Sequence, residues 1–320
     1  MVEDHTYLIV TNKRDLTSDF IVREFLNRGL KFHRLNTEDV AQLSFTQNLD
    51  DTTLHDGNTC IKLSAVGSAY FRRPLPPHVN PDGLSQASIT YIREEWSYLL
   101  RSLYFELGNK WFNHPNSVIL AEDKPRQIRL ARELGFSVPE TVITNDVDSL
   151  KLLFANGDVI AKPLKQSLLE EDRGPGSVIY TTKINSIGEI DAKNLRVAPV
   201  IFQRRIDKRF DLRVTIVESN VFTVAINSQK FKTTQTDWRH GSVTNLEHEV
   251  FELPEQVAQK CVEILYRLNL RYGAIDLVLD TSGDFWFLEC NPNGQWAWIE
   301  SRTGLPIAAA IVTGMVNISK

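Results

Sequence analysis

The sequence predicts a mixed α/β and α+β protein, and three observations carry that prediction. An apolar run at residues 6–12, an amphipathic stretch at 18–27 and a second apolar run at 30–36 follow one another as strand, helix and strand, the order that gives a parallel sheet. Around residues 111–146, prolines on either side of a strongly basic helix mark a change of unit. Residues 271–298 then form two β-type runs around a turn signal. We therefore expect an α/β domain first and α+β units after it.

The composition is that of an ordinary globular protein, and its charge argues against nucleic acid. The chain has 320 residues, of which 42% are hydrophobic and 24% charged, so it is long enough for two or three domains. Its 36 Lys and Arg residues against 40 Asp and Glu residues give a formal net charge of −4, which does not favour general binding to polyanions. We therefore expect no nucleic-acid partner.

No segment resembles a membrane span or an export signal. No apolar run approaches the roughly 18 residues that a span needs, and the N-terminus places acids, not a basic region, before its first apolar run. The three cysteines, Cys60, Cys261 and Cys290, are an odd number at wide separations, which favours neither a disulfide framework nor a zinc site. We expect buried free thiols, no membrane partner and a cytoplasmic location.

In the rest of the N-terminal part, the sequence predicts secondary structure for some segments and not for others. Residues 37–57 are polar and show no period, whereas 60–74 contain one or two strands that prolines bring to an end. Arg72 and Arg73 at that end either face an anion or blunt an exposed sheet edge, and the sequence does not decide between these. Residues 85–107 form a long helix whose apolar side chains indicate a core-facing stripe.

Two lysines in the middle of the chain lie at the ends of predicted elements. Residues 124–134 form a basic helix that begins at Lys124, although a solvated face explains a charged helix as well. Lys162 ends an apolar strand and is followed at once by proline, a rigid placement that suits a point cation for a phosphate. Residues 167–182 carry a Gly-Pro-Gly segment that either closes over an anion as a lid or forms a hairpin tip.

A basic run follows the strand that ends at Gln203. Its members are Arg204, Arg205, Lys208, Arg209 and Arg213. Polyanion binding explains such a run, but without aromatic platforms a nucleoside triphosphate is a simpler partner than RNA. In the next loop Arg239 and His240 precede a glycine, and His240 is either a general base or an ordinary surface histidine.

The C-terminal hairpin carries polar residues where packing alone would not place them. With a four-residue loop at 281–284, Asp276 lies directly opposite Glu289, about 5 Å across the sheet. Two facing carboxylates destabilise a sheet unless one is protonated or a cation lies between them. Asn291 adds a neutral oxygen, and such oxygens are the ligands that Mg²⁺ prefers; the simpler alternative is a solvated face with ordinary surface acids. The alternation of side chains predicts one shared face for Phe285, Phe287, Glu289 and Asn291.

The order of these residues resembles that of the ATP-grasp ligases. The shared order runs through Lys124, Lys162, a hinge at 203–207, Arg213 and the triad Asp276, Glu289 and Asn291. Four shorter motifs are more specific and are similar to those of the microviridin-type peptide ligases, which make graspetides. They are YFRRP at 70–74, WFNHP at 111–115, DWRHG at 237–241 and NPNGQWAWIE at 291–300.

The resemblance implies an ATP-grasp fold with an N-terminal preATP-grasp α/β domain. Its boundaries place the preATP-grasp domain at residues 1–115, a central ATP-grasp lobe at 116–198 and a C-terminal lobe with the metal-binding hairpin at 199–320. The two lobes would clasp the nucleotide between them. ATP and Mg²⁺ are the cofactors that this resemblance implies.

The resemblance also assigns roles to single residues. Lys124 and Lys162 resemble the phosphate-contacting lysines. Arg213 resembles the arginine that meets the γ-phosphate and the acyl phosphate, and Arg239 is expected near the acceptor carboxylate. Many relatives have glutamate in place of Gln203, whose amide oxygen still accepts a hydrogen bond from the adenine amino group. The adenine hinge would comprise Gln203, Arg204, Arg205, Ile206 and Asp207, and the Mg²⁺ ligands would be Asp276, Glu289 and Asn291.

The implied activity is an ATP-dependent carboxylate ligation on a peptide. ATP phosphorylates a carboxylate, and a hydroxyl or amine attacks the acyl phosphate to give a side-chain ω-ester or ω-amide. The expected partner is a ribosomally made precursor peptide with a leader and a core, and a homodimer is expected on the same resemblance. Two other functions stay open, an amino-acid ligase acting on a protein or peptide tail and an ATP-binding regulatory protein without turnover.

Overall fold

The N-terminal part of the molecule is a parallel sheet with an antiparallel meander beside it. The computed structural model describes residues 5–55, 57, 59–165, 168–169, 177–239 and 246–320. The first elements are β1 (Thr6–Thr11), α1 (Leu16–Asn27), β2 (Phe32–Asn36), β3 (Ser44–Gln47), β4 (Thr52–His55), β5 (Cys60–Lys62), β6 (Val66–Phe71) and α2 (Gln86–Leu107). Strand β1 lies between β2 and β6 and is parallel to both, whereas β3, β4 and β5 pair antiparallel in that order. The predicted strand, helix and strand of a parallel sheet are therefore confirmed.

Side-chain caps set the start of the two N-terminal helices. Helix α1 begins two residues before the predicted position, because Asp15 is its N-cap and accepts the backbone N–H of Thr17. Helix α2 begins directly after Ser85, whose hydroxyl accepts the backbone N–H of Ser88. Both helices then bury one apolar face against the sheet, as predicted for α2.

The middle of the chain forms a second, antiparallel sheet. Its elements are α3 (Pro115–Ala121), α4 (Lys124–Glu133), β7 (Thr141–Thr144), α5 (Lys151–Ala155), β8 (Val159–Lys162), β9 (Leu168–Leu169), β10 (Ser177–Val178), β11 (Thr182–Ile184), α6 (Ala192–Val197) and β12 (Val200–Arg204). The sheet has the order β11-β8-β12-β7, and β9 pairs only with β10 among the described strands. We call β11-β8-β12-β7 the central sheet. Most of the Gly-Pro-Gly segment, residues 170–176, lies outside the described residues, so the lid and the hairpin tip are not distinguished.

The C-terminal part is a five-stranded antiparallel sheet with helices on both faces. Its elements are β13 (Lys208–Val217), β14 (Asn220–Ile226), β15 (His248–Val250), α7 (Glu255–Arg267), β16 (Tyr272–Asp280), β17 (Phe285–Asn291), α8 (Ala297–Thr303) and α9 (Ile307–Ile318). The order is β15-β14-β13-β16-β17, and we call it the C-terminal sheet. Helices α3, α4 and α7 bury one face, while α9 packs with α1 on the other and so joins the C-terminus to the N-terminal sheet. In the described part of the chain no helix is long and apolar enough to cross a membrane.

The hairpin β16–β17 has a bulge that the sequence did not predict. Asp276 faces Glu289 as predicted, but Leu277 pairs with Phe287, so Leu288 is an extra residue in β17. The predicted shared face is therefore wrong, because Phe287 points into the core with Leu277 whereas Glu289 lines a cleft on the opposite side. The turn is also one residue longer than predicted, since Leu279 pairs with Phe285.

The carboxylate of Asp280 holds this longer turn. It accepts the backbone N–H groups of Ser282 and Asp284, both at 2.8 Å, and the indole N–H of Trp286 at 2.8 Å. Although partial burial works in the opposite direction, these hydrogen bonds lower the pKa of Asp280. The sequence analysis left Asp280 without a role, and the structure shows that it fixes the turn.

The predictions for the thiols and for the arginine pair are confirmed only in part. Cys261 and Cys290 are buried free thiols as predicted, but Cys60 is exposed on the short edge strand β5. Arg72 is 1% exposed, so the sheet-edge alternative is wrong for it; its Nε lies 3.0 Å from a carboxylate oxygen of Asp15. Arg73 is exposed and has a φ of 44°, an unfavourable value for arginine.

We expect the Asp15–Arg72 pair to be essential for stability. Asp15→Asn keeps the helix cap but leaves the buried Arg72 without its counter-charge, which should lower the free energy of unfolding by about 3–5 kcal/mol. Urea-induced unfolding measures this change.

The matched control is Asp148→Asn, which removes the exposed pair with Lys151 and should leave the unfolding midpoint unchanged. A loss below about 1 kcal/mol for Asp15→Asn would contradict the assignment of Asp15 as the main partner of Arg72.

Candidate active site

A cleft of about 400 Å³ lies between the central sheet and the C-terminal sheet. Strands β8 and β12 line one side, and β13, β16 and β17 line the other. The sequence-predicted residues that meet in it are Lys124, Lys162, Gln203, Arg204, Arg205, Ile206, Arg239, Asp276, Glu289 and Asn291. Arg213 and Asp207 do not line this cleft.

Asp276 and Glu289 face each other at the floor of the cleft, and each has its own cation. Arg213 Nη1 lies 2.8 Å from Asp276 Oδ1, and Lys124 Nζ lies 3.2 Å from Glu289 Oε2. Among the described residues no group of three His, Cys, Asp or Glu side chains forms a metal-binding cluster. The candidate donor set is instead two carboxylates and the amide of Asn291, oxygen ligands of the kind that fit Mg²⁺.

The two facing carboxylates ionise differently. Burial raises the pKa of Asp276, and the negative charge of Glu289 adds to that effect, although Arg213 opposes it. Burial also acts to raise the pKa of Glu289, but Lys124, Lys162 and Arg239 together outweigh it and lower that pKa to about 2. Of the two, Asp276 therefore keeps a proton to the higher pH.

The two lysines approach the cleft from different elements. Lys124 is the first residue of α4, whose N-cap is Asp123, and its Nζ also donates to the carbonyl of Pro163 at 3.2 Å. Lys162 ends β8 directly before that proline. Burial lowers the pKa of Lys162 to about 8, even though the charge of Glu289 acts to raise it. The structure thus places two cations beside one carboxylate.

The hinge at residues 203–207, which begins at the end of β12, offers to the cleft one acceptor without a partner among the described residues. Gln203 is buried and donates from Nε2 to the hydroxyl of Thr141 at 2.8 Å, whereas its Oε1 has no partner among the described residues. A buried amide oxygen without a donor costs free energy, so a ligand that donates there gains affinity. This is the observation that fits the adenine amino group expected at this position.

The rest of the hinge is divided between the cleft and the solvent. The backbone N–H groups of Arg204 and Arg205 are used by the carbonyls of Glu140 and Asp158. Ile206 lines the cleft, whereas Asp207 has a side chain that is 78% exposed and a carbonyl that accepts the backbone N–H of Thr281. The structure therefore does not bring Asp207 to the cleft with the other hinge residues.

The two arginines occupy different positions. Arg213 is buried behind Asp276, and its Nη2 also donates to the carbonyl of Gln295 at 3.4 Å. Arg239 lines the cleft, and Asp237 accepts hydrogen bonds from its Nε at 2.9 Å and its Nη2 at 2.8 Å. These hydrogen bonds raise the pKa of Arg239, although burial opposes them. His240 lies outside the described residues, so its role as a base is not assessed.

The sequence analysis missed residues that orient these groups. Gln127 is buried on α4, accepts the backbone N–H of Cys290 at 2.8 Å and donates to the carbonyl of Cys290 at 2.7 Å. It thereby holds β17 between Glu289 and Asn291. Its sequence signal was weak, a polar residue on the buried side of a highly charged helix.

Comparison with known proteins supports the resemblance to ATP-grasp ligases that the sequence indicated. No family model matches the chain. The crystal structure of the macrocyclase MdnC from Microcystis aeruginosa, bound to its precursor peptide MdnA, is 26% identical with a TM-score of 0.85 and covers 97% of this chain and 99% of its own. An ATP-grasp ligase from Chryseobacterium gregarium, solved with ADP and with leader and core peptides, is 24% identical with a TM-score of 0.88 and covers 98% and 97%.

The chain is an ATP-grasp ligase. Its predicted fold, α/β and α+β with a preATP-grasp α/β domain at the N-terminus, is confirmed by this full-length similarity. A probable α-L-glutamate ligase from Teredinibacter turnerae is also similar to it, 24% identical over 208 residues that cover 64% of this ligase and 67% of the relative.

We expect Lys162 of the metal-free ligase to titrate near pH 8, because burial favours its neutral form. Lys162 is then charged below that pH and neutral above it. The measurement is NMR of ¹³C-dimethylated lysines in the presence of a chelator, with the Lys162 signal assigned by Lys162→Arg. Glu289→Gln should lower this pKa further, because it removes the charge that raises it.

The exposed Lys151 is the internal control, since its hydrogen bond to Asp148 raises its pKa above the ordinary value. If Lys162 titrated together with Lys151, its buried position beside Glu289 would be disproved.

Proposed function

We propose that this ligase joins side chains within a ribosomally made precursor peptide, forming ω-esters or ω-amides through an acyl phosphate. The observation that carries the proposal is the convergence of Lys124, Lys162 and the Asp276–Glu289 pair on one cleft that also holds Arg239. Phosphate-binding cations, metal-binding oxygens and a cation for a second carboxylate are the parts that such a reaction needs. The similarity to ligases solved with precursor peptides supports a peptide as the acceptor.

ATP and Mg²⁺ are the proposed cofactors. Gln203 Oε1 would accept from the adenine amino group, and Lys124 and Lys162 would meet the phosphates. Asp276, Glu289 and Asn291 would hold Mg²⁺, which screens the phosphate charge when it is bound.

The reaction itself needs no protein nucleophile. A side-chain carboxylate of the peptide takes the γ-phosphoryl group, and ADP leaves. A hydroxyl or amine of the same peptide then attacks the acyl carbon, the C–O bond to phosphate breaks and the attacking group loses its proton. Arg239, held at the cleft by Asp237, would bind the acceptor carboxylate, and Arg213 would stabilise the charge from behind Asp276. Positioning and charge neutralisation supply most of the rate enhancement in phosphoryl transfer.

We also propose that the ligase works in the cytoplasm. ATP is plentiful there, and the three cysteines are free thiols, which suits a reducing compartment.

A second candidate function is the ligation of amino acids onto a protein or peptide tail. The observation that favours it is the similarity to a probable α-L-glutamate ligase. An ATP-binding regulator without turnover is less favoured, because both lysines and all three metal-ligand candidates are retained at the cleft.

We expect the ligase to remove the mass of one water from its peptide for each linkage, and only with ATP and Mg²⁺ present. The assay co-expresses or mixes the ligase with a short peptide encoded beside its gene, one with Thr, Ser or Lys and Asp or Glu near the C-terminus, and mass spectrometry measures the product. Asp276→Asn and Glu289→Gln should abolish the change with no change in the circular dichroism spectrum. Asp284→Asn, on the exposed turn of the same hairpin, should retain full activity.

Each other outcome has a distinct meaning. Addition of glutamyl masses would favour the tail ligase, and ATP binding without any product would favour the regulator. Near-normal turnover by Glu289→Gln would show that the metal assignment is wrong.

We further propose that two copies associate through helix α2. Its outer face exposes Tyr91, Tyr98 and Phe105 at intervals of one heptad, with 63%, 69% and 59% of each residue exposed. A two-fold axis at Tyr98 would bring Tyr91 opposite Phe105 of the partner subunit and Glu95 opposite Arg101 of the partner subunit. A surface that can pair its own aromatic residues, and its own acid with its own base, across a two-fold axis favours a symmetric dimer.

We expect Tyr98→Glu to convert this dimer to a monomer, because two like charges would meet at the axis. Sedimentation velocity measures the change. Arg93→Glu, an exposed change on another side of α2, is the control and should leave the dimer intact. A monomeric wild-type ligase would disprove the proposal.

A further inference from the structure

The carboxylate of Asp237 makes hydrogen bonds to both sides of the cleft. On one side it accepts from the backbone N–H, Nε and Nη2 of Arg239, at 3.0, 2.9 and 2.8 Å. On the other side it accepts the backbone N–H of Thr181, at 3.2 Å. Its side chain is only 3% exposed. Four donors from two parts of the molecule therefore meet one buried carboxylate.

Thr181 connects this carboxylate to the phosphate side of the cleft. It directly precedes β11, which pairs with β8 so that Thr182 faces Ala161. The same register, continued by one residue, places Thr181 opposite Lys162. Asp237 thus contacts the backbone beside Lys162, the lysine proposed to bind phosphate, and the side chain of Arg239, the arginine proposed to bind the acceptor carboxylate.

The hydrogen bonds leave one part of Arg239 available. Its Nε and Nη2 are taken by Asp237, whereas its Nη1 donates to no described residue. A guanidinium fixed on two of its three nitrogens loses little entropy when it binds an anion. Asp237 thus orients the remaining N–H groups of Arg239 for a ligand.

Anchoring of the loop between β14 and β15, which contains Asp237, does not by itself explain the hydrogen bonds of this carboxylate. The carbonyl of Thr236, one residue earlier, already accepts from Lys208 Nζ at 3.1 Å, and Lys208 is fixed by both oxygens of Asp211 at 3.0 Å. Lys230, near the start of the same loop, forms an ion pair with Glu247 at its end. Asp237 is the residue among these anchors whose hydrogen bonds reach the central sheet.

We infer that Asp237 is a positioning residue that couples nucleotide binding to the binding of the acceptor carboxylate. A shift of the strand end at Thr181, when phosphates bind at Lys162, changes the hydrogen bond to Asp237 and with it the orientation of Arg239. Coupling of this kind is reciprocal, so the peptide carboxylate must tighten nucleotide binding by the same factor. The inference rests on the proposed function for the identity of the two ligands.

The test measures binding, not turnover. The probe is an acetyl- and amide-capped triglutamate peptide, titrated by NMR with and without saturating Mg²⁺ and a non-hydrolysable ATP analogue; the matching triglutamine peptide must not bind. For the wild-type ligase we expect the analogue to tighten triglutamate binding roughly tenfold. Asp237→Asn should reduce this factor to below about twofold while the affinity for the analogue alone stays the same.

Two further variants make the result specific. Glu247→Gln breaks the other ion pair of the loop, does not touch the cleft and should keep the wild-type coupling factor. Thr181→Pro removes the N–H on the opposite side of Asp237 and should lose the coupling as Asp237→Asn does, which keeps the inference testable if the first variant fails to fold.

Two results would overturn the inference. One is a wild-type ligase without coupling. The other is a folded Asp237→Asn variant that keeps the wild-type coupling factor, as it would if triglutamate binding weakened equally with and without the analogue. Failure of the proposed function looks different, because a wild-type ligase that forms no peptide linkage can still show coupling that depends on Asp237.

Discussion

The candidate site depends on two carboxylates that face each other in a buried hairpin. Asp276 and Glu289 are opposite in the register of β16 and β17, and burial opposes the ionisation of both. The balancing cations come from other elements, Arg213 from β13 and Lys124 from α4. The hairpin cannot keep both charges on its own, so its geometry requires the cations of the neighbouring strand and the helix.

That requirement explains how closely α4 is tied to the edge of the C-terminal sheet. β17 is an edge strand, so its outer backbone groups need partners from outside the sheet. Gln127, one helical turn after Lys124, satisfies both backbone groups of Cys290, and the carbonyl of Ser137 accepts the N–H of Phe287. One face of α4 therefore neutralises Glu289 and fixes the strand that carries it. This fixes the positions of Glu289 and Asn291, two of the three proposed Mg²⁺ ligands, relative to each other.

Sequence reasoning succeeded where a local pattern decides the structure. The parallel opening, the start of α4 near Lys124 and the facing of Asp276 and Glu289 follow from periodicity, flanking prolines and alternation. It failed where distant parts meet. The bulge at Leu288 depends on the turn that Asp280 holds, and the roles of Gln127 and Asp237 depend on backbone groups that lie far away in sequence. Residue roles within the site, and the domain boundaries, stay proposals that resemblance supports.

Burial of several charged side chains in the cleft costs free energy, and the net charge of the cleft gives a reason for keeping them there. Seven cationic side chains and five carboxylates of the described residues line it: Lys124, Lys162, Lys165, Arg204, Arg205, Lys208 and Arg239 against Glu122, Asp211, Asp237, Asp276 and Glu289. With all of these groups ionised the excess is two positive charges, and it becomes three when Asp276, whose pKa is raised, binds a proton. Because like charges repel strongly in a medium of low dielectric constant, an anionic ligand that binds in the cleft lowers the repulsion among these cations. Part of the cost of burying these groups is therefore recovered when the nucleotide and the peptide carboxylate bind, which favours a site built for both.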